Sequence, residues 1–412
     1  VKRIAILHYA SPPTVGGVES TIAHHARGLA ALGYPVRIVS GSGGPVDDRV
    51  QTVTNPAFGS TDPDVLRVKA ELDAGHVTGA FDMLVTQLEA DLRTALAGCE
   101  VCIAHNILTL HKNLPLTAAL ARLHHEHFLH IIGWCHDLAW TNRQYRSELH
   151  EGYPWDLLRQ RWPGVRYVTV STARRDELSA LLGMPAEDVA VAVPGVDPAS
   201  FFRWTPTLQD LENRLHLLDA DGLLLLPARL TRRKNIALAL ETLAEVRRQC
   251  ECDFRLLVTG PPGPHNPTNP GYLGELLALR HELGLDEAAH FLYAYGESDK
   301  PLIPDDDTMA NLFQLADALL FPSTQEGFGI PVLEAGLVSL PVFCADIPAL
   351  RSTGQRDAVY FDPLHDPPAS IATRILDMLD ASPTFRLRVR VRQHYRWDVL
   401  IRECLVPLVE ES

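Results

Sequence analysis

Short unbroken apolar runs alternate along the chain with longer stretches of helical spacing. This is the pattern of strands buried on both faces and joined by crossover helices. The first run covers residues 3–9. A loop over 11–17 follows, with two prolines and two glycines. Residues 18–32 then carry helical spacing and stop at Gly33, placed as a C-terminal cap. Strands are predicted at 36–40, 101–105, 129–135 and 167–171. The pattern restarts after residue 200, with strands predicted at 223–227, 254–259, 290–295, 318–321 and 341–344. Helices are predicted between them, over 236–249, 272–283 and 309–316.

The fold class is therefore α/β: two doubly wound, Rossmann-like domains. Pro194, Gly195, Pro198 and Pro206 interrupt the periodicity between them. We expect a first domain over 1–200 and a second over 201–385. The arginine-rich apolar segment 385–409 predicts one or two terminal helices, with about 386–412 expected to pack back on the first domain. Ligands of such sheets bind at the carboxyl ends of the strands.

Composition narrows the function. A net charge of −14 repels phosphate backbones, so nucleic acid is not an expected partner. With 46% apolar and 21% charged residues the chain is an ordinary globular one, and disorder as the main state is excluded. The apolar stretch at 223–226 is far short of the roughly 20 residues that a membrane helix needs, and 4–7 is too short for a secretory apolar region. A soluble, cytoplasmic protein is expected, with peripheral membrane contact left open and no signal for an oligomeric state. Seven cysteines make an odd disulfide framework. Cys99 and Cys102, and Cys250 and Cys252, lack the flanking turns of zinc knuckles and read as reduced thiols.

Three constellations could carry chemistry. Residues 323–336, S-T-Q-E-G-F-G-I-P-V-L-E-A-G, follow a predicted strand. Gly327 and Gly329 let backbone approach a ligand, and a helix starting at Ile330 offers N–H groups to an anion. Glu326 and Glu334 in E-x7-E spacing suit a sugar ring and a ribose diol; the alternative is a glycine turn with two solvated glutamates. Residues 227–235, P-A-R-L-T-R-R-K-N, also follow a strand and gather Arg229, Arg232, Arg233 and Lys234. Such a cluster suits a diphosphate, or merely caps the next helix. In T-V-G-G-V-E-S, residues 14–20, Gly16 and Gly17 form another phosphate-permissive helix start, with Glu19 suited to its dipole.

Together these pieces resemble the retaining, nucleotide-sugar-dependent glycosyltransferases of the GT-B fold, group 1 and family four, which include sucrose-phosphate synthase. The match runs over most of the chain. In the family's order it shows G-G-V-E, A-H-N at 104–106, H-D at His136 and Asp137, V-S at 170–171, P-G-V-D at 194–197, R-x4-K at Arg229 to Lys234, and E-x7-E. The resemblance implies two domains facing across a cleft, the donor mostly on the second and the acceptor on the first. It implies that Arg229 and Lys234 hold the donor diphosphate, which Gly16 and Gly17 face from the other domain. Glu326 would bind donor-sugar hydroxyls, Glu334 the ribose diol, and the N–H groups of Phe328 and Gly329 the sugar or phosphate. His136 would lie near the sugar's 6-position, and the base near Tyr293 to Tyr295. The donor would be a UDP-, GDP- or ADP-hexose used as substrate, with no tightly bound cofactor and no metal required. The chain departs from the family at 337–340, which precede Pro341, and at 346–353, which lack a frequent glutamate. The proline-rich stretch 260–269 is longer than usual.

The implied reaction is hexosyl transfer with retention, to a small polar or saccharide acceptor expected around Gly17, Asn106, His111 and the aromatic segment 134–155. The aromatic residues there suit sugar stacking, a core or a lid equally. A non-catalytic nucleotide-sugar-binding protein and a lipid-linked acceptor are the alternatives. The D-x-D of Asp305 to Asp307 stands where aspartates cap a helix. His124, His125, His127 and His130 have only Glu126 nearby and read as solvated or partly buried imidazoles rather than a metal site. A dinucleotide fold would need a glycine where Val46 stands, and no G-K-[ST] loop or pyridoxal-phosphate lysine motif is present.

Overall fold

In a computed structural model, which describes residues 1–262, 269–296 and 300–412, the chain divides into two compact units. One holds Val1–Val196 and Tyr395–Ser412, the other Asp197–His394. The stretch 260–269 singled out above lies mostly outside the described residues.

The first unit is built on a seven-stranded parallel sheet of order β3-β2-β1-β4-β5-β6-β7. Its strands are β1 Ile4–His8, β2 Val36–Ser40, β3 Val50–Thr54, β4 Val101–His105, β5 His130–Cys135, β6 Arg166–Thr169 and β7 Val189–Val191. β1 shows why the runs are continuous rather than alternating. Ile4 and Ile6 enter one core, Ala5 and Leu7 the core on the opposite face, and none of the four is exposed. Order reverses between β1 and β4, the switch point at whose carboxyl side such sheets hold ligands.

The second unit repeats the plan with six parallel strands, order β10-β9-β8-β11-β12-β13. They are β8 Gly222–Leu226, β9 Phe254–Val258, β10 Ala289–Phe291, β11 Ala318–Phe321, β12 Val342–Ala345 and β13 Val359–Phe361. Here the switch point lies between β8 and β11. The strand expected over 290–295 ends at Phe291, and Leu292–Tyr295 is a 3-10 turn.

The terminal segment is divided between the units. Helix Pro383–His394 belongs to the second, where Arg392 and Arg388 reach the fully buried Asp317 at 2.9 and 3.4 Å. From Tyr395 the chain belongs to the first unit: Val196 donates to the Tyr395 carbonyl at 2.7 Å, and Trp397 stacks on His24 at 4.8 Å. The return to the first unit thus starts at Tyr395; the arginines of the first of the two terminal helical segments are anchored to Asp317 in the second unit.

Candidate functional site

The loops after β8 and β11 carry two of the three constellations, and strand order makes them neighbours. They are tied by backbone: Thr324 donates from its amide at 2.8 Å and its hydroxyl at 3.2 Å to the Arg233 carbonyl. The side chains meet as well. Lys234 Nζ donates a close hydrogen bond to Glu326 Oε1, while Arg233 Nη1 lies 3.3 Å from Oε2 and 2.9 Å from the Gln325 carbonyl. Lys234 and Glu326 are each 10% exposed along the side chain, and the ammonium sits 4.8 Å from the Phe321 ring centroid. Burial pulls the Lys234 pKa below its usual value, with the Glu326 charge offsetting only part. For Glu326 the balance runs the other way: burial raises it, but the Lys234 hydrogen bond and the two nearby cations bring it below the usual carboxylate value. The pair is charged and closed on itself, although the two residues were expected on different parts of a ligand.

The other predicted residues of this unit surround the pair with unequal freedom. Arg229 is exposed and has no ion-pair partner among the described residues. Arg232 turns away to Glu275 at 2.7 Å, over the Tyr272 ring. Phe328 is exposed, and Gly329 caps helix Ile330–Leu337 without a side-chain hydrogen bond. Pro331 has no N–H and Val332 donates to the Gly329 carbonyl at 3.0 Å, so at this helix start the Ile330 amide is the one left to a ligand or water. Gly329 has φ +93, and a Cβ there would stand 2.5 Å from Leu350 Cδ2, so both conformation and space call for glycine. Glu334 is exposed; partial burial and then the Asp306 charge raise its pKa. Tyr295 is not at a strand end. Its hydroxyl lies 3.0 Å from His290 Nδ1, and Arg214 covers its ring at 5.2 Å. Asp305 accepts from the Thr308 amide at 2.8 Å as a helix cap.

In the first unit, Gly16 and Gly17 open helix Gly17–Ala31, where the Glu19 carboxylate folds back against Gly16. His136 follows β5. Asn106 holds it there, in the left-handed conformation at φ 59, accepting at Oδ1 from the amides of His136 at 2.8 Å and Asp137 at 3.2 Å. His136 joins His8, His25 and His105, a cluster the sequence reading passed over; the signal was a histidine ending each of the apolar runs β1 and β4. His111 is buried and lies 2.7 Å from Glu148. Of the aromatic segment, Trp134 and Trp155 are core, whereas Tyr153 is exposed. No group of metal-ligating side chains occurs among the described residues, and no helix among them is long and apolar enough to cross a membrane.

Comparison with known proteins gives the same division. A model of "Glycosyltransferase Family 4" matches residues 15–200, and one of "Glycosyl transferases group 1" matches 222–381. A mannosylglucosylglycerate synthase of Petrotoga mobilis is 23% identical over 265 residues, 61% of this chain and 60% of that protein. A D-inositol 3-phosphate glycosyltransferase of Jonesia denitrificans is 26% identical over 234 residues, 54% of this chain and 51% of that protein. The chain thus spans between half and two thirds of the length of these relatives. A sucrose-phosphate synthase structure from Thermosynechococcus elongatus covers 100% of both chains at 16% identity and TM-score 0.39, too low to carry an argument.

Proposed function

We start from the fact that the chain belongs to the group 1, family 4 glycosyltransferases, and propose that it moves a hexose from a nucleoside-diphosphate sugar to a hydroxyl acceptor, with retention at the anomeric carbon. The observation that carries this reading is the meeting of Arg233, Lys234 and Glu326 at the β8–β11 switch point, with Arg229 exposed on the same loop and the Ile330 amide at the helix start beside Gly329. A protein that only holds a nucleotide sugar has no need of cations on a leaving group, which favours transfer over the binding-only alternative.

In this mechanism the bond from the anomeric carbon to the diphosphate oxygen breaks while the bond to the acceptor oxygen forms on the same face. The acceptor's proton passes to the departing diphosphate. Arg229 and Lys234 offset the charge that develops there, an electrostatic stabilisation of the leaving group. Lys234 must leave Glu326 to do so, and Arg233, already 3.3 Å from the second carboxylate oxygen, remains as the counter-charge. Glu326 is then free for donor-sugar hydroxyls, with Glu334 on the ribose diol and the N–H groups of Phe328 and Gly329 on sugar or phosphate. The same reading gives Gly16, Gly17 and His136 of the first unit ligand contacts of their own. Tyr295 is the weakest member of the set, since its hydroxyl and ring are already engaged. A small polar acceptor accords with the names of the two relatives, which speak of a mannosylglucosylglycerate and of inositol 3-phosphate.

The test is release of nucleoside diphosphate from UDP-, GDP- and ADP-linked glucose and mannose, with and without polyol and sugar-phosphate acceptors. Release from one donor is expected, and Lys234→Ala should lower it at least ~100-fold. Unchanged release in that variant removes Lys234 from the mechanism; no release from any donor supports the binding-only reading instead.

A further inference from the structure

Four imidazoles meet at the carboxyl side of β1, β4 and β5, and the ring nitrogens of three of them, His8, His105 and His136, constrain one another. His8 ends β1, His105 ends β4, His136 follows β5, and His25 comes from helix Gly17–Ala31. Ring centroids are 5.5 Å apart between His25 and His105 and 5.3 Å between His105 and His136. His8 Nδ1 lies 2.8 Å from the His105 carbonyl; since a carbonyl only accepts, His8 carries its proton on Nδ1. His105 Nδ1 lies 3.0 Å from His136 Nε2, so one of these two nitrogens donates and the other accepts. Both rings are neutral near pH 7: burial, then the neighbouring imidazoles, hold His105 well below its usual value and His136 at about 4.

The direction of that hydrogen bond follows from the remaining nitrogen of His105. Its Nε2 is buried and has no hydrogen-bond partner among the described residues. If His136 donated, the proton of His105 would sit on Nε2 as a buried donor without an acceptor. If His105 donates, Nε2 keeps only a lone pair, the less costly orphan in a closed core. His105 therefore donates from Nδ1, His136 accepts at Nε2, and the proton of His136 must lie on Nδ1. That nitrogen has no hydrogen-bond partner among the described residues, and Asn106 fixes the backbone that carries it.

We propose that His105 is a positioning residue that holds His136 in the Nδ1–H tautomer, so that His136 presents a ligand with a hydrogen-bond donor and not with a base. The ligand half of this rests on the proposed function, in which His136 meets the donor sugar; the tautomer half does not. A donor at this point suits a sugar hydroxyl or ether oxygen and selects against a ligand offering a proton there.

The experiment is long-range proton–nitrogen correlation on the full chain labelled with nitrogen-15 histidine, the His136 signals being identified by their loss in His136→Gln. The expected spectrum shows His136 with a protonated Nδ1 and a bare Nε2. His105→Asn, whose side-chain amide can still donate to Nε2, should keep that state. His105→Phe, with no donor, should give a mixture of tautomers and about a five-fold weaker dissociation constant for the nucleotide sugar that binds. Backbone amide spectra of both variants establish that they fold. A wild-type His136 protonated on Nε2, or a tautomer unchanged in His105→Phe, overturns the positioning role. An Nδ1–H His136 with nucleotide-sugar affinity unchanged in His136→Gln overturns the ligand half alone, leaving the tautomer assignment standing. Absence of nucleotide-sugar binding by the wild type refutes the proposed function rather than this inference.

Discussion

Exchanging Glu326 for glutamine and Lys234 for methionine, singly and together, probes the pair on which the second unit's site is built. Each side chain is 10% exposed, so neither charge is fully hydrated when its partner is removed. Breaking a buried pair by deleting one member costs about 3–5 kcal/mol when the other is stranded, and less when a second counter-ion remains. The structure makes the two deletions unequal. In Lys234→Met, Glu326 keeps Arg233 at 3.3 Å, and the expected loss is about 2 kcal/mol. In Glu326→Gln, Lys234 keeps no carboxylate among the described residues and retains the Phe321 ring at 4.8 Å, and the loss should approach about 3 kcal/mol. The double variant buries no stranded charge, so it should lose less than the sum by a coupling of about 2 kcal/mol. Amide exchange read on β8 and β11 peptides by mass spectrometry reports on this unit alone. Strictly additive losses, or Glu326→Gln no worse than Lys234→Met, would refute the reasoning.

The remaining predictions rest on other parts of the chain. Gly329→Ala, at φ +93 and against Leu350, should lower stability by about 1–3 kcal/mol in thermal unfolding, whereas Gly17→Ala, with open space around its Cβ, should change it by less than about 0.5 kcal/mol. Burial holds His25 at about 3 and both His136 and His290 at about 4, against roughly 6.5 in an unfolded chain, with Arg255 and Arg280 adding to it at His290 and neighbouring imidazoles at the other two. Between those values the unfolded chain takes up protons that the folded one refuses, so stability should fall as pH drops below about 6.5, by about 1.4 kcal/mol per pH unit for each histidine. A urea midpoint flat from pH 7 to pH 5 would contradict this. Asp317→Asn strands Arg388 and Arg392 against a buried strand start and should cost about 3–5 kcal/mol by the same denaturation assay. Turnover should survive exhaustive chelation, since Arg229 and Lys234 are assigned the leaving-group charge; loss that added magnesium or manganese restores would contradict that assignment.

The parts legible in sequence were those with a strong local signal. Central strands such as β4 and β11 are buried at every position, so their limits came out as predicted, and β2 was read at its full length although Arg37 interrupts its apolar run. The unread strands, β3, β7 and β13, are all sheet edges, where three to five residues bury little and polar residues such as Gln51 and Thr52 intrude. Tyr295 was misplaced because the apolar run continues past Phe291 into a 3-10 turn that periodicity does not distinguish from strand. The loops holding Arg229, Lys234 and Glu326 were recognisable by glycine and charge. That Lys234 and Glu326 would pair with each other depends on strand order, which no local pattern encodes. The histidine cluster was hidden for the same reason: His8, His25, His105 and His136 come together only once β1, β4 and β5 are side by side.

The central claim, that the loops after β8 and β11 hold a diphosphate, is tested most directly by calorimetric titration of nucleoside diphosphates and monophosphates into the wild type, Arg229→Ala and Lys234→Ala. The account predicts that one diphosphate binds the wild type and that each substitution weakens it by about ten-fold or more, the scale of one charge-assisted hydrogen bond, while the matching monophosphate is little affected. Equal diphosphate affinity in wild type and variants, or an equal loss for the monophosphate, would contradict it.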